Sequence, residues 1–192
     1  MKYPVRLLFS GIIALGSSLA IAKDIAGVNI EEVVNLSLGG QELRLKGTAI
    51  SNSQARQSTY VGGLYLQNDA QSVQDILSNT GAKRFVLYCQ NSSIKPEALI
   101  RALNLGFIAN HSEQEFAALE PMVNQFNQIW HDEIHEGDKV WIDFLPEQGT
   151  VVTINGNQKG IIPGKDFYDA FLKTWLGEKP INAEMKKQLL GQ

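Results

Sequence analysis

Two histidines four residues apart are the residues of this chain whose types and spacing most suggest chemistry. They are His131 and His135, and the stretch "HDEIHE" that holds them also contains Asp132, Glu133 and Glu136. Two imidazoles at i and i+4 on a helix can chelate zinc, but a zinc site needs at least a third protein ligand. The HExxH order of metalloproteases is also absent. We therefore interpret the pair as the solvated last turn of a helix, with no metal and no cofactor bound.

The helix that carries these histidines is predicted to run from about 113 to 135. Ser112 and Glu115 have the spacing of a capping box. The residues that follow form one apolar stripe at spacings of three and four, which consists of Phe116, Leu119, Val123, Phe126, Trp130 and Ile134. Since the stripe is centred near Trp130, both histidine rings should face water. His111, before the cap, is interpreted as a polar residue of a helix–helix turn.

A glycine pair inside a predicted strand is the second candidate site. Alternation along "TYVGGLYLQ" (59–67) places Tyr60 and Gly62 on one face and Gly63 and Tyr65 on the other. Glycine weakens a strand, so the pair indicates that another group approaches closely. That group is either a crossing helix or a ligand.

Thr174 is the third candidate, because it is the polar member of an apolar helical face. The helix is predicted from about 165 to 176 and ends at Gly177, a residue typical of a left-handed terminus. Its inward positions are Phe167, Ala170, Phe171, Thr174 and Trp175. The Thr174 hydroxyl either bonds a carbonyl four residues back or points into a cavity between sheet and helices.

Several function classes find no support in the sequence. No Gly-x-Ser-x-Gly turn and no phosphate-binding glycine loop is present. Cys89 is the single cysteine, and within "RFVLYC" it is interpreted as a packed small hydrophobe. Beyond residue 22 the chain has 15 basic and 20 acidic residues, a net charge of −5, which argues against nucleic acid as a partner.

The first 22 residues have the pattern of a cleaved export signal. Lys2 and Arg6 precede the apolar run "LLFSGIIALGSSLAIA", which ends in the small-x-small pattern of Ala20 and Ala22. This run is shorter than a membrane-spanning helix and is interrupted by glycine and serine. We expect the mature chain, 23–192, to be one domain that is exported to the periplasm and has no membrane span. A retained membrane anchor is the alternative.

The remaining elements indicate an α+β domain. Shorter helices are predicted at 71–79, 96–108 and 183–190. Strands are predicted at 42–50, 59–67, 83–89, 139–145, 149–156 and 159–163, and the last three form an antiparallel meander. Strands at both ends of the chain with helices between and after them favour one antiparallel sheet covered by a helical layer.

With its segments in this order, the chain resembles the chalcone isomerase-like superfamily, specifically its exported bacterial branch. The resemblance rests on "LRLKGTAIS", "TYVGGLYL", "EGDKVWIDFLPEQGTVVTINGN" and "IPGKDFYDAFLKTWLGEKP", and it covers nearly all of residues 26–191. It implies an open-faced β-sandwich, in which a curved antiparallel sheet and a helical layer enclose an apolar cleft.

The resemblance also suggests which residues line this cleft. The threonine of the family's C-terminal helix falls on Thr174. The arginine of the chalcone-cyclising plant members falls on Ser51, and their strand threonine falls on Tyr60. Serine cannot replace a guanidinium, so chalcone cyclisation is not expected, although Arg56 lies close in sequence and could serve as a counter-ion. Tyr65 completes the predicted ligand-binding set.

Three hypotheses for function follow from this resemblance. The first is a non-catalytic binder of a small apolar ligand such as a fatty acid. The second is an isomerase or intramolecular lyase that acts on an unsaturated carbonyl compound. The third is a haem-binding or envelope interaction protein, for which the solvent-facing His131 and His135 would be poor axial ligands.

Overall fold

The computed structural model describes residues 22–36, 40–51, 59–91 and 93–192. The strands in these ranges are β1 Ala22–Ile25, β2 Val28–Glu31, β3 Val33–Asn35, β4 Glu42–Ser51, β5 Thr59–Leu66, β6 Lys83–Asn91, β7 Lys139–Leu145, β8 Gly149–Ile154 and β9 Asn157–Ile162. The helices are α1 Val73–Ser78, α2 Pro96–Ala109, α3 Glu113–Asn127, α4 Lys165–Leu176 and α5 Ala183–Leu189. The predicted signal, except for Ala22, lies outside the described residues.

The main sheet is an antiparallel meander of seven strands, β3 to β9, in which each strand pairs with its neighbour in sequence. Strands β1 and β2 form a separate hairpin. The predicted meander at 139–163 is confirmed as β7 to β9. Its second turn consists of Asn155 and Gly156, both with positive φ (50° and 80°), as a tight hairpin between twisted strands requires. Sheet and helices together confirm the predicted α+β class.

Helix α4 lies at the centre of the helical layer, which explains why it is buried on most sides. Towards the sheet, the Tyr168 hydroxyl donates to the Ile142 carbonyl at 3.2 Å, and the rings of Trp175 and Phe85 lie 4.5 Å apart. Towards α2, Thr174 lies against Gly106 so closely that a Cβ on the glycine would be 2.8 Å from the Thr174 Cβ. The apolar face predicted for this helix is therefore part of a continuous core.

Helix α3 ends at Asn127, not near 135 as the apolar stripe predicted. Trp130 and Ile134 are nevertheless buried, because the segment after the helix folds back onto the core. Its backbone pairs with that of Ile94, whose N–H donates to the Ile134 carbonyl at 2.7 Å and whose carbonyl accepts at 3.1 Å. The stripe thus predicted burial correctly and helical conformation wrongly, since buried residues in a loop can continue a helical spacing by chance.

Gly177 ends α4, as predicted, but not through a left-handed conformation. Its φ is −66° and its ψ is −174°, an extended conformation that any residue can adopt. Glycine is required here for space, because a Cβ would lie 2.2 Å from Asn110 Oδ1 and 2.5 Å from the Lys173 carbonyl oxygen. The Asn110 side-chain amide also donates to the Lys179 carbonyl at 2.8 Å and accepts from the Lys179 backbone N–H at 2.9 Å, so the end of α2 is joined to the segment that follows α4.

The outer face of the sheet, opposite the helices, has its own apolar cluster and a buried ion pair. Arg84 on β6 donates through Nε and Nη2 to the two carboxylate oxygens of Asp143 on β7, both at 2.7 Å. Arg84 is 6% exposed and Asp143 is 7% exposed. The guanidinium also stacks on the Trp141 ring, 4.5 Å from its centroid. Burial raises the pKa of Asp143, although both the hydrogen bonds from Arg84 and its charge oppose that shift.

Lys83 gives the folded protein a predictable dependence on alkaline pH. This lysine is 1% exposed, and burial, with the charge of Lys165 adding to it, lowers its pKa to about 8. The unfolded chain therefore binds more protons than the folded one between that value and 10.5, and stability rises with pH across this window. We expect the free energy of unfolding to rise by about 2 kcal/mol between pH ~7.5 and ~9.5.

Urea denaturation at a series of pH values measures this dependence. Lys83→Met keeps an unbranched side chain only one atom shorter and removes the titration, so the rise should disappear in that variant. Lys187→Met, on the exposed side of α5, is the matched control and should keep the rise. A wild-type curve that is flat across the window would contradict the lowered pKa.

Candidate functional site

A group of residues with ligand-binding chemistry lies between the sheet and the C-terminal helices, in a packed apolar layer that we call the inner cleft. Its walls are Tyr60 and Phe85 on the sheet, Trp175 on α4 and Met185 on α5. The Trp175 indole N–H donates to the Tyr60 hydroxyl at 3.4 Å, and that hydroxyl points to the Met185 sulfur at 3.8 Å. The inner cleft is thus apolar with one polar contact at its end.

Tyr60 is held in place by the strand pairing on both of its sides. It pairs with Ser51 on β4 and with Cys89 on β6. Burial raises the pKa of Tyr60, while hydrogen bonds with the Trp175 and Ser51 side chains lower it by less. The hydroxyl therefore stays protonated and neutral at physiological pH. It can donate to or accept from a polar group of a ligand.

The glycine pair of β5 meets different neighbours on the two faces of the sheet. A Cβ on Gly62 would lie 3.5 Å from Phe85 Cζ and 3.7 Å from Met185 Cε, at the inner cleft. A Cβ on Gly63 would lie 2.9 Å from Val86 Cγ1, on the outer face. Of the two interpretations left open, close packing accounts for both positions: a crossing helix at Gly62 and a neighbouring strand at Gly63.

Thr174 does not belong to the inner cleft, which corrects the sequence-based assignment. Its hydroxyl donates to the Phe171 carbonyl at 2.7 Å, and its side chain packs against Gly106 of α2. The return bond to the helix was one of the two predicted uses, although it reaches three residues back and not four. The periodicity identified a buried face correctly, but that face is wide enough to cover both the sheet side and the α2 side of α4.

Tyr65 is also separated from Tyr60, as strand alternation requires. It is buried in the outer-face cluster, and its hydroxyl donates to the Glu31 carbonyl at 2.9 Å. Placing both tyrosines in one cleft was therefore wrong, because residues five apart on a strand point to opposite faces. Ser51 lies beside Tyr60 at the end of β4. Arg56 lies outside the described residues.

The histidines form no metal site in the part of the chain that the structure describes. His131 and His135 are exposed, as predicted, but they follow α3 and do not form its last turn. Among the described residues, no group of three or more histidine, cysteine, aspartate or glutamate side chains could hold a metal ion. Asp138 accepts a hydrogen bond from the His135 backbone N–H at 2.7 Å, so this carboxylate stabilises the turn that follows the histidines.

The sequence did not point to Met185 or to the pairing of Trp175 with Tyr60. These contacts join residues more than a hundred positions apart, so no local pattern could have shown them. A weak signal did exist for Trp175, since a buried tryptophan usually finds an acceptor for its N–H. Met185 offered no such signal, because methionine fits many kinds of core.

The fold and the inner cleft define a class of protein: an antiparallel sheet covered on one face by helices, with an apolar layer between them. A family model described as chalcone isomerase-like matches residues 22–191, and the chain belongs to that family. A comparison with curated proteins found no match.

A solved structure with a similar fold is that of a fatty-acid binding protein from Arabidopsis thaliana. It superposes with a TM-score of 0.59 and 14% sequence identity, over 83% of this chain and 96% of the plant protein. At this identity the similarity demonstrates the fold only. In the described residues, no helix is long and apolar enough to cross a membrane.

Proposed function

We propose that this protein is exported and binds a small, mostly apolar ligand, such as a fatty acid, in the inner cleft without transforming it. The observation that carries the proposal is the neutral polar contact between Tyr60 and Trp175 at the end of an apolar layer. Apolar walls with a few placed polar groups are typical of small-molecule sites. The similar plant structure is described as a fatty-acid binding protein, which supports the same ligand class.

Met185 is the group that a ligand would displace. It is buried between Gly62 and the Tyr60 hydroxyl, and it belongs to a helix of only seven residues. Methionine side chains are flexible and adapt to many shapes, so the space that Met185 fills can be given up at low cost. A movement of this one side chain would place a ligand carboxyl or carbonyl group within reach of Tyr60.

The uncharged character of the polar contact supports binding without catalysis. The groups that meet here are a phenol, an indole and a thioether, with Ser51 beside them. Ser51 occupies the position at which the family resemblance places an arginine. Stabilising an anionic oxygen during an isomerase reaction needs a cation or several aligned donors. The Tyr60 hydroxyl, which already accepts from Trp175 and points to Met185, can orient a ligand but does not supply such stabilisation.

Two matched tyrosine variants test the binding site. Titration with palmitate, followed by calorimetry, should give an affinity for Tyr60→Phe that is about three- to tenfold weaker than that of the wild type, since one hydrogen bond is lost. Tyr88→Phe changes a half-buried tyrosine of the outer-face cluster and should bind as the wild type does. Met185→Trp should block the inner cleft and abolish binding.

Equal affinity in all three variants would show that palmitate binds elsewhere, and no binding by the wild type would refute the ligand class. Mass spectrometry of organic extracts from the purified protein provides an independent check. A chemically altered ligand after incubation, lost in Tyr60→Phe, would support the isomerase hypothesis instead.

Export has its own test, separate from binding. The signal pattern ends at Ala22, and β1 begins at that residue, where Ala22 pairs with Glu31. Cleavage after Ala22 therefore removes one residue pair of the hairpin and leaves the rest of the described fold. N-terminal sequencing of protein expressed with its first 22 residues should give Lys23 as the first residue. An intact Met1 on soluble cytoplasmic protein would contradict export.

A further inference from the structure

A second site lies away from the inner cleft, where the segment after α3 meets the β8–β9 hairpin. This corner pocket has a volume of about 440 Å³, in the range of small-molecule sites. Its apolar lining consists of Ile129, Trp130, Ile134, Ile154 and Ile161. Trp130 is 5% exposed and Ile134 is 2% exposed, so these two side chains form the deep part of the pocket.

The walls of the corner pocket are fixed by hydrogen bonds between distant segments. Ile134 is paired with Ile94 through two backbone bonds of 2.7 and 3.1 Å. Asp138 accepts from the His135 backbone N–H and from Asn155 Nδ2, both at 2.7 Å, which joins the segment after α3 to the hairpin turn. The pocket is therefore preformed, and a ligand would not have to order it.

An irregularity in β9 directs a lysine to this pocket. Val152 pairs with Gly160 and Thr153 pairs with Gln158, so Lys159 between them has no partner in the register. A bulge of this kind inserts an extra residue and redirects its side chain. Lys159 is exposed and lines the pocket.

The rim of the pocket carries charges of both signs. Besides Lys159, it includes the carboxylates of Asp132 and Glu133, and none of the three forms an ion pair with another described residue. Below the rim, the indole N–H of Trp130 is buried and has no hydrogen-bond acceptor among the described residues. A buried donor without an acceptor is costly, and a ligand oxygen would remove that cost.

We propose that the corner pocket binds a free α-amino acid with an aliphatic side chain. The aliphatic side chain would pack on the isoleucines, and the ammonium group would face Asp132 and Glu133. The carboxylate would face Lys159, and a small rotation of the Trp130 ring, whose indole N–H is buried in the free protein, would let one carboxylate oxygen accept from that N–H. An aliphatic amino acid has an apolar side chain next to one positive and one negative group. The corner pocket has the complementary arrangement, an apolar lining below a rim that carries both positive and negative side chains.

Nuclear magnetic resonance of the indole groups tests this proposal on the intact protein. The chain has three tryptophans, so a ¹⁵N-labelled sample gives three indole cross-peaks, and the peak missing in Trp130→Phe is that of Trp130. Titration with L-isoleucine should shift this peak in a saturable way and leave those of Trp141 and Trp175 in place.

Charge variants and truncated ligands decide whether recognition depends on both charges. Lys159→Met should weaken L-isoleucine binding about fivefold, the effect of losing one exposed ion pair. Lys187→Met, which removes an exposed lysine of α5, should leave it unchanged. Two analogues of L-isoleucine, one that lacks only the carboxylate and one that lacks only the amino group, should each bind more weakly than L-isoleucine. The proposal is overturned if the Trp130 peak does not move, or if either truncated ligand binds as tightly as the amino acid.

Discussion

Replacing Arg84 with methionine is expected to lower the free energy of unfolding by about 3–5 kcal/mol, because it leaves the Asp143 carboxylate buried without its partner. In the wild type both carboxylate oxygens accept from the guanidinium at 2.7 Å. Burial already raises the pKa of Asp143, and removal of the cation raises it further. The variant should therefore regain part of its stability as the pH falls, since Asp143 then becomes neutral.

The double variant Arg84→Met/Asp143→Leu separates the cost of the unpaired charge from the loss of packing. With both charges removed, urea denaturation should show that most of the lost stability returns. Arg44→Met is the matched control, because Arg44 on β4 also pairs with a carboxylate, Glu42 at 2.6 Å, but on the surface. Its loss should stay below about 1 kcal/mol. A double variant as unstable as Arg84→Met would show that the stacking on Trp141 matters more than the charge.

Local patterns predicted most of the secondary structure, because the signals that begin and end these elements are local. The capping box at Ser112 and the turn at Asn155 and Gly156 are both present as expected. The error at the end of α3 has a physical reason: residue spacing reports burial, and Trp130 and Ile134 are buried without being helical. Strands β1 to β3 were not predicted, since short strands of three or four residues carry little periodicity.

The candidate site was only partly predictable, because its contacts are long-range. Tyr60 was identified through its strand and the family resemblance, and it does reach the inner cleft. Thr174 was placed in the same cleft from its helix and the family resemblance, and Tyr65 from its strand. In the structure Thr174 faces α2 and Tyr65 lies on the outer face of the sheet. Which face of a buried helix or strand meets the site depends on how the layers stack, and the sequence of one element does not contain that information.

The position of α5 over the inner cleft depends on Gly47. Replacing this glycine with alanine is therefore expected to cause a second large loss of stability. A Cβ at Gly47 would lie 2.3 Å from the Gln188 carbonyl oxygen and 2.6 Å from that of Leu189, both backbone atoms of the last turn of α5. Backbone cannot rotate away as a flexible side chain can, so Gly47→Ala must move α5 from β4. We expect a loss of about 3 kcal/mol in the free energy of unfolding, the upper end of the usual cost of overpacking.

Gly62→Ala is the matched control for Gly47→Ala, because it adds the same methyl group on the neighbouring strand at ordinary contact distance, 3.5 Å from Phe85 Cζ. Its stability should change by no more than about 1 kcal/mol in either direction. Hydrogen exchange of the α5 amides should accelerate in Gly47→Ala and not in Gly62→Ala. Since Met185 enters the inner cleft from α5, a displaced α5 should also change palmitate affinity. Unchanged exchange in Gly47→Ala would mean that β4, not α5, gives way, and that the inner cleft is closed by more than this one close approach.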